Sequence, residues 1–117
     1  MNTHKDLIVW GKSMDLVIAT YKQCSKFPSD EKFGLTSQMR RSAISIPSNI
    51  AEGAARNSTK EYIRFLYIAL GSLSELETQF LISKRLDYVN NTLEDPIIEI
   101  RRMLLSLIKK LKLRVTK

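Results

Sequence analysis

Apolar residues recur at steps of three and four along almost the whole chain. This spacing keeps side chains on one face of an α-helix, whereas the apolar side chains of a strand would alternate at every second residue. Four such runs are separated by short breaks rich in proline, glycine, asparagine and serine. They predict four helices, over residues of about 5–26, 35–55, 59–86 and 93–113. The sequence contains no strand-like alternation, internal repeat or long linker, so the predicted fold class is all-α.

Each predicted helix carries an apolar seam that can pack against its neighbours. The first seam has steps of 3, 4, 3, 4 and 3, and it consists of Leu7, Trp10, Met14, Val17, Tyr21 and Cys24. Because the connections between the four runs are short, consecutive helices are expected to run antiparallel. At 117 residues the chain is long enough for one core but not for two. We therefore expect an up-down-up-down four-helix bundle that forms one domain over residues 1–117.

Several positions carry local signals of helix ends or interruptions. Ser58 followed by Glu61 fits a capping box, in which each side chain satisfies a free backbone N–H at the helix start. Thr92 is placed to cap the fourth helix, and Glu94 is favourable against the positive end of the dipole of that helix. The second helix instead contains Pro47 in its middle, which costs about 3 kcal/mol that packing must offset.

The third helix is apolar on nearly all of its faces. In a four-helix domain one side of a helix faces the core and the other faces water, so a second apolar side predicts contact with another subunit. Gly71 lies in this helix beside small residues and would allow another helix to approach closely. We therefore expect an oligomer. The candidate interface residues are Tyr62, Phe65, Leu66, Tyr67 and Leu73.

Positive charge is concentrated towards the end of the sequence. The formal net charge is +7; residues 1–83 contribute +2, from ten Lys/Arg and eight Asp/Glu, and residues 84–117 contribute +5, from nine and four. Such a basic excess suits an anionic partner such as nucleic acid. The alternative is a solvated helix end whose cations are favoured by the helix dipole.

Three clusters of basic residues are candidates for phosphate contacts. Two adjacent arginines in the second helix cannot both point into the core, so at least one reaches another face. A second cluster spans the break into the third helix at steps of four, and a third lies near the end of the fourth helix. The candidates are Arg40 and Arg41; Arg56, Lys60 and Arg64; and Lys109, Lys110, Lys112 and Arg114. For each cluster the alternative is a scattered, solvated surface, with an arginine such as Arg64 in a salt bridge between subunits.

The sequence offers little for catalysis or metal binding. His4 is the one histidine and Cys24 the one cysteine, so zinc clusters and His-activated nucleophiles lack their residues. Glu52, Glu75 and Glu77 lie among apolar helical residues, where a carboxylate pair can do acid–base work or bind a metal. The alternative, which we prefer, is structural: hydrogen bonds with Asn49, Ser48, Ser72 or Arg64, or pairing across subunits. We expect no cofactor, no bound metal and no enzymatic activity.

The sequence also bears on location. One cysteine cannot form an internal disulfide and fits a reducing compartment. The N-terminus has no basic-then-apolar leader, and the longest apolar region, residues 65–73, is too short to span a bilayer. These observations predict a soluble, cytoplasmic protein with no membrane partner.

Two long motifs carry a family resemblance. GLTSQMRRSAISIPSNIAEG starts at Gly34, and KEYIRFLYIALGSLSELETQ starts at Lys60. Through these motifs the chain resembles the four-helix-bundle proteins encoded in intervening sequences of bacterial ribosomal RNA genes. That family is also similar to the accessory protein of diversity-generating retroelements. The resemblance extends from Asp6 to the helical tail near Leu113.

The resemblance implies a homopentameric ring, with third-helix residues such as Tyr62, Phe65 and Leu73 at or near the subunit interfaces. A ring would repeat each basic cluster and sum the electrostatic attraction. The leading hypothesis is therefore a non-enzymatic scaffold that binds RNA or DNA, since the retroelement relatives look like adaptors for RNA and a reverse transcriptase. Two alternatives are an adaptor that binds an acidic partner protein and an enzyme built on Glu52 with Glu75 or Glu77.

Overall fold

The computed structural model describes residues 3–89 and 93–115, and every regular element in them is helical, as predicted. The α-helices are α1 (Ile8–Cys24), α2 (Leu35–Ala54), α3 (Thr59–Arg85) and α4 (Glu94–Val115). Short 3-10 helices occupy His4–Asp6 and Ser29–Glu31. The predicted cap at Thr92 lies outside the described residues. Over the described residues, no helix combines the length and the apolar composition that crossing a bilayer requires.

Consecutive helices run antiparallel, and each helix packs on two others. Contacts join α1 to α2, α2 to α3, α3 to α4 and α4 back to α1, and those between α2 and α3 are the most extensive. Ion pairs show the relative direction of α3 and α4, since Lys84 pairs with Glu94 while the earlier Glu77 pairs with the later Arg101. The helices therefore form the predicted up-down-up-down bundle, which measures 51 × 20 × 20 Å.

Both ends of α3 have recognisable caps. At the start, the Ser58 hydroxyl accepts a hydrogen bond from the Glu61 N–H at 3.3 Å, which is one half of the predicted capping box. At the end, the Asp87 N–H donates to the Lys84 carbonyl at 3.0 Å, and the next N–H donates to the Ser83 carbonyl at 2.9 Å. This is the Schellman pattern, and it holds Asp87 in the left-handed region with a φ of 62°. The chain therefore turns sharply away from α3.

The buried face of α1 differs from the predicted seam. The side chains that α1 buries are Val9, Ser13, Leu16, Thr20 and Cys24. Met14 and Tyr21, which belong to the predicted seam, are exposed. The prediction was wrong because it considered only apolar side chains. The Ser13 and Thr20 hydroxyls donate to backbone carbonyls four residues earlier, at 2.7 and 2.8 Å, so both side chains are buried with their donors satisfied.

Small side chains line the contact between α2 and α3. Gly53 has no room for a side chain, because an added Cβ would lie 2.8 Å from the Cβ of Phe65. The hydroxyls of Ser45 and Ser72 share a hydrogen bond across the same contact at 2.8 Å. Pro47 is buried in α2, which continues through it as one helix. The small side chains therefore allow α2 and α3 to approach closely.

Two of the five candidate interface residues are core residues. Leu66 and Leu73 are 0% exposed in the single chain, so their side chains pack inside their own bundle and offer no surface to another subunit. Tyr67 is exposed, and the other two candidates are partly buried. Gly71 faces open space rather than a neighbouring helix of the bundle. An interface on α3 stays a prediction, and it would have to use the exposed side of the helix rather than the leucines.

Candidate nucleic-acid interface

The bundle brings two of the three basic clusters together and separates the third. Because α2 and α4 run in one direction and α3 in the other, the end of α2, the start of α3 and the end of α4 meet at one end of the molecule. We call this region, residues 52–64 with residues 109–115, the basic end. Arg40 and Arg41 lie in the first half of α2, towards the opposite end.

At the basic end, two arginines of the cluster Arg56, Lys60 and Arg64 lie beside the ring of Phe65. The guanidinium carbons of Arg56 and Arg64 lie 4.9 and 5.7 Å from the centroid of its ring. Both cations are attracted by the ring quadrupole and are held beside the start of α3. Arg56 is also paired with carboxylates, since its Nη2 lies 3.0 Å from Glu52 and its Nη1 lies 3.9 Å from Glu61. These carboxylates partly neutralise the charge of Arg56. The exposed Arg64 is therefore better suited to contact a phosphate.

The α4 cluster lies against the same stretch of α3. The Lys112 Nζ is 5.2 Å from the centroid of the Tyr67 ring. Burial raises the pKa of the Tyr62 hydroxyl, and the nearby charge of Arg114 partly opposes that rise. Lys110 lies instead beside the groove between α1 and α4. Two clusters that are far apart in sequence therefore meet around residues 62–67 of α3.

The basic end carries a large excess of positive charge. Residues 52–64 and 109–115 contain seven Lys/Arg and two carboxylates, which leaves a formal charge of +5. The side chains are mostly exposed, so pairs of them interact weakly through water. Their summed field nevertheless reaches about 10 Å at 0.1 M salt and attracts a polyanion. Lysines and arginines arranged in this way can hold a phosphate backbone.

Arg40 and Arg41 line a recess of about 480 Å³ on the surface of α1, α2 and the turn before α2. The guanidinium carbon of Arg40 lies 4.7 Å from the centroid of the Tyr21 ring. Lys32 and Phe33 complete the charged and aromatic part of the lining. The sequence patterns miss Phe33 because they indicate only a turn over residues 29–34. The signal that could have found it is an aromatic residue in an otherwise polar turn.

Two of the three candidate carboxylates are in ion pairs. Glu52 pairs with Arg56, and Glu77 accepts two hydrogen bonds from Arg101, at 2.7 and 3.4 Å. Glu75 is exposed on α3. In residues 3–89 and 93–115, no three His, Cys, Asp or Glu side chains are grouped as a metal site would require. Glu52 and Glu77 are therefore in structural pairs, as we preferred, but their partners are Arg56 and Arg101 of the same chain rather than the expected ones.

His4 packs against another aromatic ring, and Cys24 is buried. The His4 ring packs edge-on against Trp10, with 5.1 Å between the ring centroids. Cys24 is buried, and burial raises the pKa of its thiol although the nearby charge of Arg40 acts in the opposite direction. A thiol that is covered and protonated is a poor nucleophile.

Comparisons with known proteins agree with this architecture. Residues 5–106 match the family described as 23S rRNA-intervening sequence protein. Among solved structures, a crystal structure of a protein with unknown function from the S23 ribosomal protein family of Bacteroides thetaiotaomicron VPI-5482 matches with a TM-score of 0.80 and 27% sequence identity. The match covers 87% of this chain and 96% of that chain. No curated protein sequence gives a significant match.

Proposed function

The chain belongs to the 23S rRNA-intervening sequence protein family, and from this premise we propose that it is a cytoplasmic, non-enzymatic scaffold that binds RNA or DNA. Lysines and arginines of the basic end contact phosphates and position the backbone without reading its sequence. The scaffold assembles from identical subunits, in a pentamer according to its family resemblance, so that each basic end is repeated around the assembly.

One observation carries the proposal, namely the meeting of two basic clusters at one end of the bundle. Arg64 lies over the ring of Phe65, while Lys112 lies over that of Tyr67, two residues further along α3. Nucleic acid carries its charges at short, regular intervals, so a compact group of cations contacts several phosphates at once. Spread evenly over the surface, the same net charge would bind a polyanion more weakly.

The exposed surface of α3 supports self-assembly. The large apolar side chains that remain exposed on this helix are Tyr67, Ile68, Leu81 and Ile82. Gly71 lies between the two pairs and has open space around it, so a helix from another subunit can approach there. Burying such a surface would stabilise an oligomer by removing apolar area from water. Sedimentation of the purified protein measures the subunit number directly.

The test is the binding of nuclease-treated protein to a labelled RNA hairpin and a labelled DNA duplex, at low and near-physiological salt. The test variant replaces four exposed cations of α4 with glutamine: Lys109, Lys110, Lys112 and Arg114. A control variant loses the same charge from other exposed positions: Lys22, Lys26, Arg85 and Arg102. We expect tight binding by the wild type, with an affinity that falls steeply as salt increases, because each phosphate contact releases counterions.

The test variant should bind much more weakly and show a shallower salt dependence, whereas the control variant should stay close to the wild type. Equal loss in both variants would mean that net charge matters and the position of the basic end does not. No binding by the wild type to either nucleic acid would refute the proposal. An adaptor that holds an acidic protein would then become the leading hypothesis, and it is tested by co-purification after nuclease treatment.

A further inference from the structure

Phe33 is the most exposed large hydrophobic residue in the described part of the chain, with 89% of its surface open to solvent. It lies in the turn between the 3-10 helix Ser29–Glu31 and α2. Hydrogen bonds fix this turn: the Gly34 N–H donates to the Glu31 carbonyl at 3.0 Å, and the Leu35 N–H donates to the Glu31 carboxylate at 3.2 Å. A partner that covered this ring would remove apolar area from water, which is favourable.

Three cations lie beside this ring or in the same recess. The Lys32 Nζ lies 5.5 Å from the centroid of the Phe33 ring, and Arg40 and Arg41 line the same recess. The described residues that line the recess include no carboxylate. Glu31 is occupied elsewhere, because its Oε2 accepts a hydrogen bond from a tyrosine hydroxyl beyond α3 at 3.0 Å. The recess therefore combines an open aromatic face with positive charge that is not balanced inside it.

Arg40 packs against Tyr21, but one of its hydrogen-bond donors has no acceptor among the described residues. Its guanidinium stacks on Tyr21, and its Nε is buried without a hydrogen-bond partner among the described residues. A buried donor without an acceptor destabilises the structure. An oxyanion bound to the guanidinium would supply acceptors, after a small rotation of the side chain, and the planar fork of arginine matches the geometry of phosphate.

We propose that this recess binds one unpaired nucleotide of single-stranded RNA or DNA. The base stacks on the open face of Phe33, and the adjoining phosphate meets Arg40 and Arg41. Proteins that hold single strands combine aromatic platforms and basic grooves in this way. The inference rests on the proposed function and adds a second site, far from the basic end, that requires an unpaired base rather than a duplex.

Charge and shape favour a nucleotide over the other occupants of such a recess. A symmetric contact between two copies would bring Lys32, Arg40 and Arg41 of each copy against the same cations of the other, which is repulsive. An acidic peptide would satisfy the cations, but it would cover Phe33 only if it also carried a flat side chain at the right spacing. Every nucleotide carries a planar base beside its phosphate.

The experiment compares wild type, Phe33→Leu and Phe33→Trp, each with its full chain and assembly intact. The probes are a short single-stranded RNA that contains 2-aminopurine and a blunt-ended RNA duplex in which every base is paired. Stacking on one aromatic side chain contributes a factor of roughly ten to a hundred in affinity. We expect Phe33→Leu to weaken single-strand binding by about that factor and to abolish quenching of the 2-aminopurine. Phe33→Trp should retain both the affinity and the quenching of the wild type, and binding of the duplex at the basic end should not change in either variant.

Three outcomes would overturn the proposed nucleotide site, and they differ in what they mean for the proposed function. If Phe33→Leu binds and quenches the single strand as the wild type does, the recess is not a nucleotide site, while binding of the duplex shows that the proposed function stands. If the wild type binds neither probe, both proposals fail. If Phe33→Leu changes the mass of the assembly, Phe33 belongs to a contact between copies and the inference is overturned.

Discussion

Gly53 of α2 and Phe65 of α3 lie so close together that a Cβ on the glycine would be 2.8 Å from the Cβ of the phenylalanine. The same atom would be 3.0 Å from Cδ1 of Tyr62 and 3.2 Å from the carbonyl oxygen of Tyr62. A Cβ and a carbonyl oxygen belong to the helix framework, so they cannot swing aside as the tip of a long side chain can. The separation of α2 and α3 near the basic end is therefore one that only glycine permits.

Replacing Gly53 with alanine should destabilise the protein by about 1–3 kcal/mol, because the two helices must shift apart to remove the overlap. The control is Gly71→Ala, which enters open space. It should be neutral or stabilising by up to roughly 1 kcal/mol, since alanine is the better helix former. Urea denaturation followed by circular dichroism measures both. Equal stability of the two variants would contradict the close approach.

The hydrogen bond between Ser45 and Ser72 should be visible in a double-mutant cycle. Ser45→Ala leaves the buried Ser72 hydroxyl without this partner, at a cost of about 1–3 kcal/mol. Asn49 also loses its 2.9 Å bond to the Ser45 hydroxyl but keeps its 2.8 Å bond to the Ser45 carbonyl. Removing both hydroxyls should restore part of the loss, because no unpaired serine then remains. Strict additivity of the two single changes would show that the pair is not coupled.

The ion pair between Glu77 and Arg101 should contribute more than the other links between helices on the surface. Its two hydrogen bonds match the fork of arginine, and its side chains are 38% and 28% exposed. A cycle of glutamine substitutions should give a coupling energy of up to about 1 kcal/mol that decreases with salt. The control is Lys12 with Glu99, a single contact at 3.1 Å with both side chains 41% exposed. A larger coupling in the control would rule out this ranking.

Asp87→Gly should stabilise the protein. Asp87 has a φ of 62° at the end of α3, where a side chain is strained and glycine is not. The gain should be about 1 kcal/mol, with Asp87→Asn between the wild type and glycine. Asp15→Gly, inside α1, is the matched control and should instead destabilise by roughly 0.5 kcal/mol or less, the difference in helix propensity. Thermal denaturation distinguishes the two, and a fall in melting temperature for Asp87→Gly would count against the strain.

Cys24 should react slowly with iodoacetamide in the folded protein and quickly in urea. Burial raises the pKa of its thiol above the ordinary value, so less thiolate is present at a given pH and access is blocked as well. The unfolded chain loses this proton first, so the thiol contributes stability below its unfolded pKa and loses that contribution as the pH rises through the folded value. Labelling rates across neutral and alkaline pH, followed by mass spectrometry, test this. A folded rate equal to the rate in urea would show that the thiol is neither buried nor shifted.

Much of the fold could be predicted because its determinants are local. The spacing of apolar residues and the breaks between runs specify four helices, and Ser58 specifies the start of α3 through one hydrogen bond to its own helix. Short connections then leave the antiparallel bundle as the natural arrangement.

The rotation of α1 about its own axis could not be predicted in the same way. In α1 the predicted seam and the buried face differ, because buried hydroxyls such as that of Thr20 satisfy themselves on their own helix and so act as core residues. In α3 the predicted interface residues Leu66 and Leu73 prove to belong to the core, because a helix that is apolar on nearly all sides does not show which of its apolar residues would face another subunit.

Sequence by itself therefore determined the helices, their order and the uneven charge, since each of these depends on neighbouring residues along the chain. Only the tertiary structure decided which basic clusters meet, and that Phe33 is exposed to solvent in the same recess as Arg40 and Arg41. The two clusters that meet lie dozens of residues apart in the chain, and Phe33 is separated from Arg40 and Arg41 by the turn into α2. Both relationships depend on how four helices of particular shapes pack around one core, and the pattern of any one helix does not contain that information.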